Sequence, residues 1–357
     1  MDKYNIDSHK MDMHPERVAQ WLGGNKLNVY PIYVEISPVG HCNHRCTFCA
    51  IDYIGYKSNS IPLEKLKSCL SDMALKGIRS VMFAGEGEPL LYKNLPEVIN
   101  FAKEECGLDV AITTNGTVMT STFIDKCLWN ISWIKVSLNA GDADTYAKIH
   151  QTRLEDWDKV WRNVCYACHC KISTVVGIQM VVLPENIDTV ELLAVDAKCA
   201  GADYLVLKPY SQHFSSIETA KRYKGLKYES PEKLAKEMEK FNDETFQVIT
   251  RDKSMQVANN EERTYHKCYS TPFMWAYIMA TGDVYGCSAY LLDERFNYGN
   301  INEQSFSEIW TGEKRRKAID FIEKELDITE CRKNCRMDKV NRYLWDIKNP
   351  QMHQNFI

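Results

Sequence analysis

From residue 32 to about residue 215, short apolar runs alternate with longer stretches of helical period, and this alternation constrains the fold most strongly. "IYVEIS" is followed by "SIPLEKLKSCLSDMALKG", then "SVMFAG", "LPEVINFAKEE", "VAITTNG", "STFIDKCLW" and "ISWIKVSLN". The order continues through "WDKVWRNVCYACHCK", "TVVGIQMVVL", "NIDTVELLAVDAKCAG" and "ADYLVLKPY". Parallel strands need a crossover, usually helical, so this pattern predicts βα units. About six of them make an α/β fold, a partial (β/α)6 TIM-like barrel, with functional loops at the strand C-termini. Helix ends agree: Ser60 is placed to cap the first helix, Pro62 lies in its first turn and Gly77 ends it. Gly201 closes a helix expected from about 187 to 199.

Residues 215–262 read as charged and helical, with a strand-like "FQVITRD". "WAYIMATGDVYGC" reads as a hairpin turning at Thr281, Gly282 and Asp283. These changes predict an N-terminal extension over 1–31, the barrel over 32–252, a small α+β domain over 253–340 and a tail over 341–357. The tail's amphipathic helix is expected to pack on the barrel.

With 357 residues, 45% of them apolar, the chain can bury a sizeable core. Its mixed charges sum to −4 and form no basic stripe interleaved with aromatics, which argues against nucleic acid as a partner. The polar N-terminus lacks an apolar signal region, and no run approaches the roughly 20 apolar residues of a membrane span. The expected location is therefore cytoplasmic, away from membranes. In a reducing compartment the 14 cysteines point to metal or cluster binding rather than to disulfides.

Cys42, Cys46 and Cys49 fall in the loop after "IYVEIS", at the functional face of the barrel. Three thiolates leave either a missing zinc ligand, which His41 or His44 can supply, or a cubane cluster with one open iron. Cys268, Cys287, Cys331 and Cys335 form a second set, where four thiolates can fill a cluster or a structural zinc site. Gly282 supplies the positive φ that turns the strand back toward Cys268. Cys165, Cys168 and Cys170 in "CYACHC" share a helical pattern and are read as ordinary packing, and Cys69, Cys106, Cys127 and Cys199 as core.

The C-x3-C-x-aromatic-C spacing, with Phe48 as the aromatic, resembles the signature of the radical S-adenosylmethionine (SAM) superfamily. "AGEGEPLL" resembles that family's methionine-binding element, here Glu86, Gly87 and Glu88. "TTNGT" and "VSLNA" resemble its ribose and carboxylate contacts, which implies Thr114, Asn115, Ser137 and Asn139, with Gln179 beside them. Glu86 and Asn139 depart from the family's usual glycine and aspartate. The second cysteine set resembles the twitch, or SPASM, domain and its auxiliary cluster. The resemblance implies a SAM-binding [4Fe-4S] cluster on Cys42, Cys46 and Cys49, an auxiliary [4Fe-4S] cluster, and SAM itself. A flavodoxin- or ferredoxin-type protein would then supply electrons.

Such an enzyme cleaves SAM to a 5'-deoxyadenosyl radical that takes a hydrogen atom from its substrate. The about 30 residues before the first strand are too few for the peptide-binding domain of peptide-modifying relatives, so a small molecule is expected. A sugar, cyclitol or nucleotide-sugar undergoing net oxidation is the first choice. A peptide substrate, a redox-neutral epimerase or decarboxylase, and a non-enzymatic zinc module are the alternatives. Lys208, Tyr210, Gln212 and His213 end the sixth strand and Glu35 lies on the first, all placed to face substrate. A Lys or His there serves as general base if burial lowers its pKa.

Overall fold

The computed structural model of the chain describes residues 3–211, 213–217, 219–259, 263–353 and 356. Ten strands form one sheet: β1 Tyr33–Ile36, β2 Ser80–Phe83, β3 Asp109–Thr114, β4 Trp133–Ser137, β5 Val175–Val181, β6 Tyr204–Lys208, β7 Gln247–Thr250, β8 Trp275–Ile278, β9 Asp283–Tyr285 and β10 Asn297–Asn300. The order across the sheet is β10-β9-β8-β1-β2-β3-β4-β5-β6-β7. The first seven strands run parallel, each joined to the next through a helical crossover, as the alternation requires.

Val34, Ile36, Val81, Phe83, Val110, Ile112, Ile134 and Val136 point outward into the helix layer. Burying each side chain of this size contributes about 1.5–3 kcal/mol. The helix Leu63–Leu75 answers with Leu66, Cys69, Leu70 and Met73, whose three- and four-residue spacing keeps them on one face. Gly77, at φ +79°, then turns the chain out of that helix. Ser60 does not cap it: Pro62 takes the N-cap position, and Ser60 instead bridges Val39 in the cysteine-bearing loop. The inner faces hold a separate cluster of Tyr33, Met82, Ala84, Ala111 and Trp133, and another of Tyr204, Val206 and Ile249 joined by Tyr4 and Ile6.

The C-terminal hairpin continues the barrel sheet. β8 lies parallel to β1, with Tyr33 opposite Trp275, and β9 and β10 follow antiparallel. Gly282 sits at φ +90° in the β8–β9 turn, as its place in the hairpin demands. The expected boundary at 253 falls within the helix Asp252–Asn259. Arg315, fully buried in the helix Glu313–Lys324, donates to the carbonyls of Leu27, Val29, Trp310 and Pro272, tying the N-terminal segment to this part of the chain. No described helix is long and apolar enough to cross a membrane.

Candidate active site and cofactor sites

The loop after β1 carries Cys42, Cys46 and Cys49, all half-buried. Main-chain bonds shape it: Arg45 N–H donates to His150 O at 3.1 Å, Thr47 N–H to Ile149 O at 2.8 Å and Cys49 N–H to Cys46 O at 3.1 Å. His44 N–H reaches the Cys42 sulphur at 3.4 Å. Burial, then the charges of Glu88 and Cys49, push the Cys42 thiol up to about 12. Burial and the two neighbouring thiols push Cys46 well above its ordinary range, and burial also raises Cys49. Three crowded, desolvated thiols do not ionise together without a cation, so the donor set fits a positively charged metal cluster.

His44, Cys46 and His150 present ligand atoms within 4.8 Å of one another. His150 Nε2 lies 2.9 Å from Leu138 O, which makes it the donor and leaves Nδ1 as an acceptor 3.2 Å from the Cys46 sulphur. His44, one of the two histidines offered as a zinc ligand, is thus beside Cys46, while His41 Nδ1 is buried without a partner. His150 lies about 100 residues from the cysteines in sequence, and no local motif marks it.

The loops after β2, β3 and β4 meet this cysteine loop. A Cβ on Gly87 would stand 2.3 Å from Val39 O and 2.5 Å from His41 O, so only glycine permits the contact. Glu88 is buried and accepts from Thr114 Oγ1 at 2.6 Å, Asn115 N–H at 2.8 Å and Leu90 N–H at 3.1 Å. Burial outweighs these bonds and pushes its carboxyl up to about 7. Glu86 accepts from Ala280 N–H at 2.6 Å, which links this loop to the C-terminal hairpin. Ser137 and Gln179 meet on the inner face, 3.2 Å apart. Asn139 turns inward instead: at φ +60° it accepts from Val181 N–H, contacts His150, and is fully buried. Its side chain fastens the loop after β4 to β5 and to His150.

The remaining expected residues separate. Glu35 forms an ion pair with Arg336 and accepts from Tyr33 OH. Tyr210 packs with Tyr223, Val181 and Phe48 in an apolar cluster beside the cysteine loop. His213 stacks on Tyr53, rings 4.7 Å apart, with Nε2 3.3 Å from Tyr53 OH. Burial lowers His213 to about 4, so it is neutral at neutral pH. Gln212 lies outside the described residues. Lys208 is on the inner face at the end of β6, where no hydrogen bond or ion pair is recorded for it among the described residues. Lys135 shares that condition on β4, with its ammonium 5.2 Å from the Trp133 ring. The period of two in "WIKVS" already puts Lys135 on the same face as Ser137, a signal that was available in the sequence. Cys165 and Cys199, expected inside, are exposed because each turns to the solvent side of its helix, whereas Cys69 and Cys127 are buried.

Cys268, Cys287, Cys331 and Cys335 line one small cavity with no histidine or carboxylate in its wall. Thr271 Oγ1 donates to the Cys268 sulphur at 3.1 Å, and Tyr290 OH lies 3.4 Å from that of Cys331. Burial raises Cys331 and pushes Cys335 up to about 11. Four thiols with no carboxylate beside them fit a cluster or zinc better than a hard cation, which takes oxygen ligands. Arg332, also in the wall, donates to Ser288 Oγ at 2.9 Å, and its Nε has no partner. It also donates to Ser211 Oγ at 3.4 Å, in the loop after β6, and so joins the cavity wall to the end of the barrel where Lys208 lies.

Residues 36–197 match the model of the radical SAM superfamily, and residues 268–336 match SPASM, an iron-sulphur cluster-binding domain. A GTP 3',8-cyclase of Chlorobaculum tepidum is 30% identical over 149 residues, which span 42% of this chain and 44% of that protein. An S-adenosylmethionine-dependent nucleotide dehydratase of Lacinutrix mariniflava is 34% identical over 113 residues, 30% of this chain and 23% of that protein. The chain thus spans less than half the length of these curated relatives. Streptococcus suis SuiB, solved with S-adenosylmethionine bound, shares the fold at TM-score 0.67 and 18% identity, over 87% of this chain and 72% of its own.

Proposed function

The chain belongs to the radical SAM superfamily and carries a SPASM domain, and on that premise we propose that it oxidises a carbohydrate-like small molecule inside the barrel. Cys42, Cys46 and Cys49 would hold the SAM-binding [4Fe-4S] cluster, and Cys268, Cys287, Cys331 and Cys335 the auxiliary one. Bound together and reduced, the first cluster and SAM supply a 5'-deoxyadenosyl radical.

The chain's own residues bind, orient and shield. Glu88 fastens the loops after β2 and β3 beside the cysteine loop, so Gly87, Thr114 and Asn115 form one rim next to Cys42. Ser137 and Gln179 continue that rim along the inner face. Met82, Ala84 and Ala111 make an apolar wall that keeps out water and competing hydrogen donors. His213 positions Tyr53 between that rim and Arg332. Net oxidation removes from the substrate one hydrogen atom, one electron and one proton. Cys268, Cys287, Cys331 and Cys335 would hold the group that accepts the electron, and the proton would leave through the open end of the barrel to solvent.

The observation that supports this reading is Arg332, which lines the second cysteine cavity and donates to Ser211 Oγ at 3.4 Å in the loop after β6. An electron acceptor held in that cavity would lie next to the loop that follows Lys208. Two curated relatives are named for nucleotide chemistry, which supports a nucleotide-linked sugar among the carbohydrate-like candidates. A flavodoxin- or ferredoxin-type donor would reduce the first cluster. In the test, anaerobically reconstituted protein is reduced with SAM and assayed for 5'-deoxyadenosine. Wild type forms it and the Cys46→Ala variant does not. Equal formation by both would remove the proposed ligand set.

A further inference from the structure

Two cations on the chamber wall have no anion to answer them. Lys135 on β4 and Lys208 on β6 both project from inner faces, and neither has a recorded hydrogen bond or ion pair among the described residues. Every other charged group near them is already engaged. Glu35 pairs with Arg336. Arg251, which acts on both lysines, is bound to Asp7 at 3.2 Å and to Ser254 at 3.0 Å, and Asp7 is shared with Lys339 at 2.8 Å. Arg332 faces the thiols of the second cysteine cavity. Asp52 and Glu86 act on His213 and Tyr53 rather than on the lysines.

A half-buried ammonium with no counter-ion is costly, and two in one chamber repel each other as well. Burial, with repulsion from Arg251, lowers Lys135 to about 8, and burial, with repulsion from Lys135, Arg251 and Arg332, lowers Lys208 to about 7. Nothing in the packing of the barrel requires them, because the neighbouring inner positions are filled by Met82, Ala111, Trp133 and Val206. An anion arriving with the substrate would return both to their charged forms and take their donors.

We propose that the substrate carries an oxyanion, a phosphate or a carboxylate, which docks on Lys135 and Lys208 at the inner faces of β4 and β6. This rests on the reading that the barrel interior is the substrate chamber, and it makes Lys208 an anchor rather than a general base. The anchored end fixes where the oxidised carbon stands relative to the rim beside Cys42.

The test is equilibrium binding of inorganic pyrophosphate and of citrate to the reconstituted holoprotein with SAM. Wild type binds at least one of them, and pyrophosphate over citrate assigns a phosphate, the reverse a carboxylate. Lys135→Gln and Lys208→Gln, checked for wild-type iron content, weaken that binding by about tenfold or more. Lys208→Arg, which keeps the charge, restores it to within a few-fold of wild type and guards against a variant that merely misfolds. Undiminished binding in both Gln variants, or binding of neither anion by wild type, overturns the proposal. Formation of 5'-deoxyadenosine by the same wild-type sample is scored separately. Its absence would sink the radical reading and leave the anion result standing.

Discussion

Burial, with added repulsion from Lys135, Arg251 and Arg332, lowers Lys208 from the ordinary lysine value of 10.5 to about 7. The folded protein therefore binds fewer protons than the unfolded chain between those values. The cost to stability is fully present below about pH 7 and fades as pH rises toward the unfolded value. Replacing Lys208 with Met should raise the melting temperature of substrate-free holoprotein, by more at about pH 6 than at about pH 9. An equal gain at both pH values would show that the ammonium is not desolvated. At this scale the cysteines were legible in the sequence because cluster ligands come at short, fixed spacings. Lys135 was legible in principle from the period of two, but one strand does not say which face lines a chamber. His150 and Arg332 were not legible as functional neighbours, since their partners are set by packing between distant loops.

Among the elements, the loop after β2 is pressed directly on the cysteine loop. Gly87→Ala would drive a methyl into the carbonyl oxygens of Val39 and His41, which are backbone and cannot swing aside. The expected cost is about 1–3 kcal/mol of stability, read by urea denaturation, together with loss of iron from the first site. The alternation of runs revealed the βα units because each crossover is local. It misplaced the cap at Ser60 because that residue is used in a tertiary bridge to Val39. It said nothing of β8 beside β1, since Trp275 finds Tyr33 across some 240 residues, a choice made by the whole sheet.

The whole molecule is one sheet with two cysteine centres on it, braced from behind by a buried arginine. Arg315 donates to carbonyls from three separate segments and lies 4.1 Å from the Trp310 ring. Burial lowers it to about 10, so it stays charged at neutral pH. Arg315→Met would leave those buried acceptors unsatisfied and cost about 2–4 kcal/mol, seen as an earlier denaturation midpoint. An unchanged midpoint would mean that the segments are held by other contacts.

Two cysteine sets, each holding an iron-sulphur cluster, make an iron count decisive. Iron per chain is measured after anaerobic reconstitution, comparing wild type with a variant in which Cys42, Cys46 and Cys49 are all alanine. About eight irons falling to about four is the predicted result. About four falling to none would contradict it, leaving the second set to zinc and the oxidation without its electron acceptor.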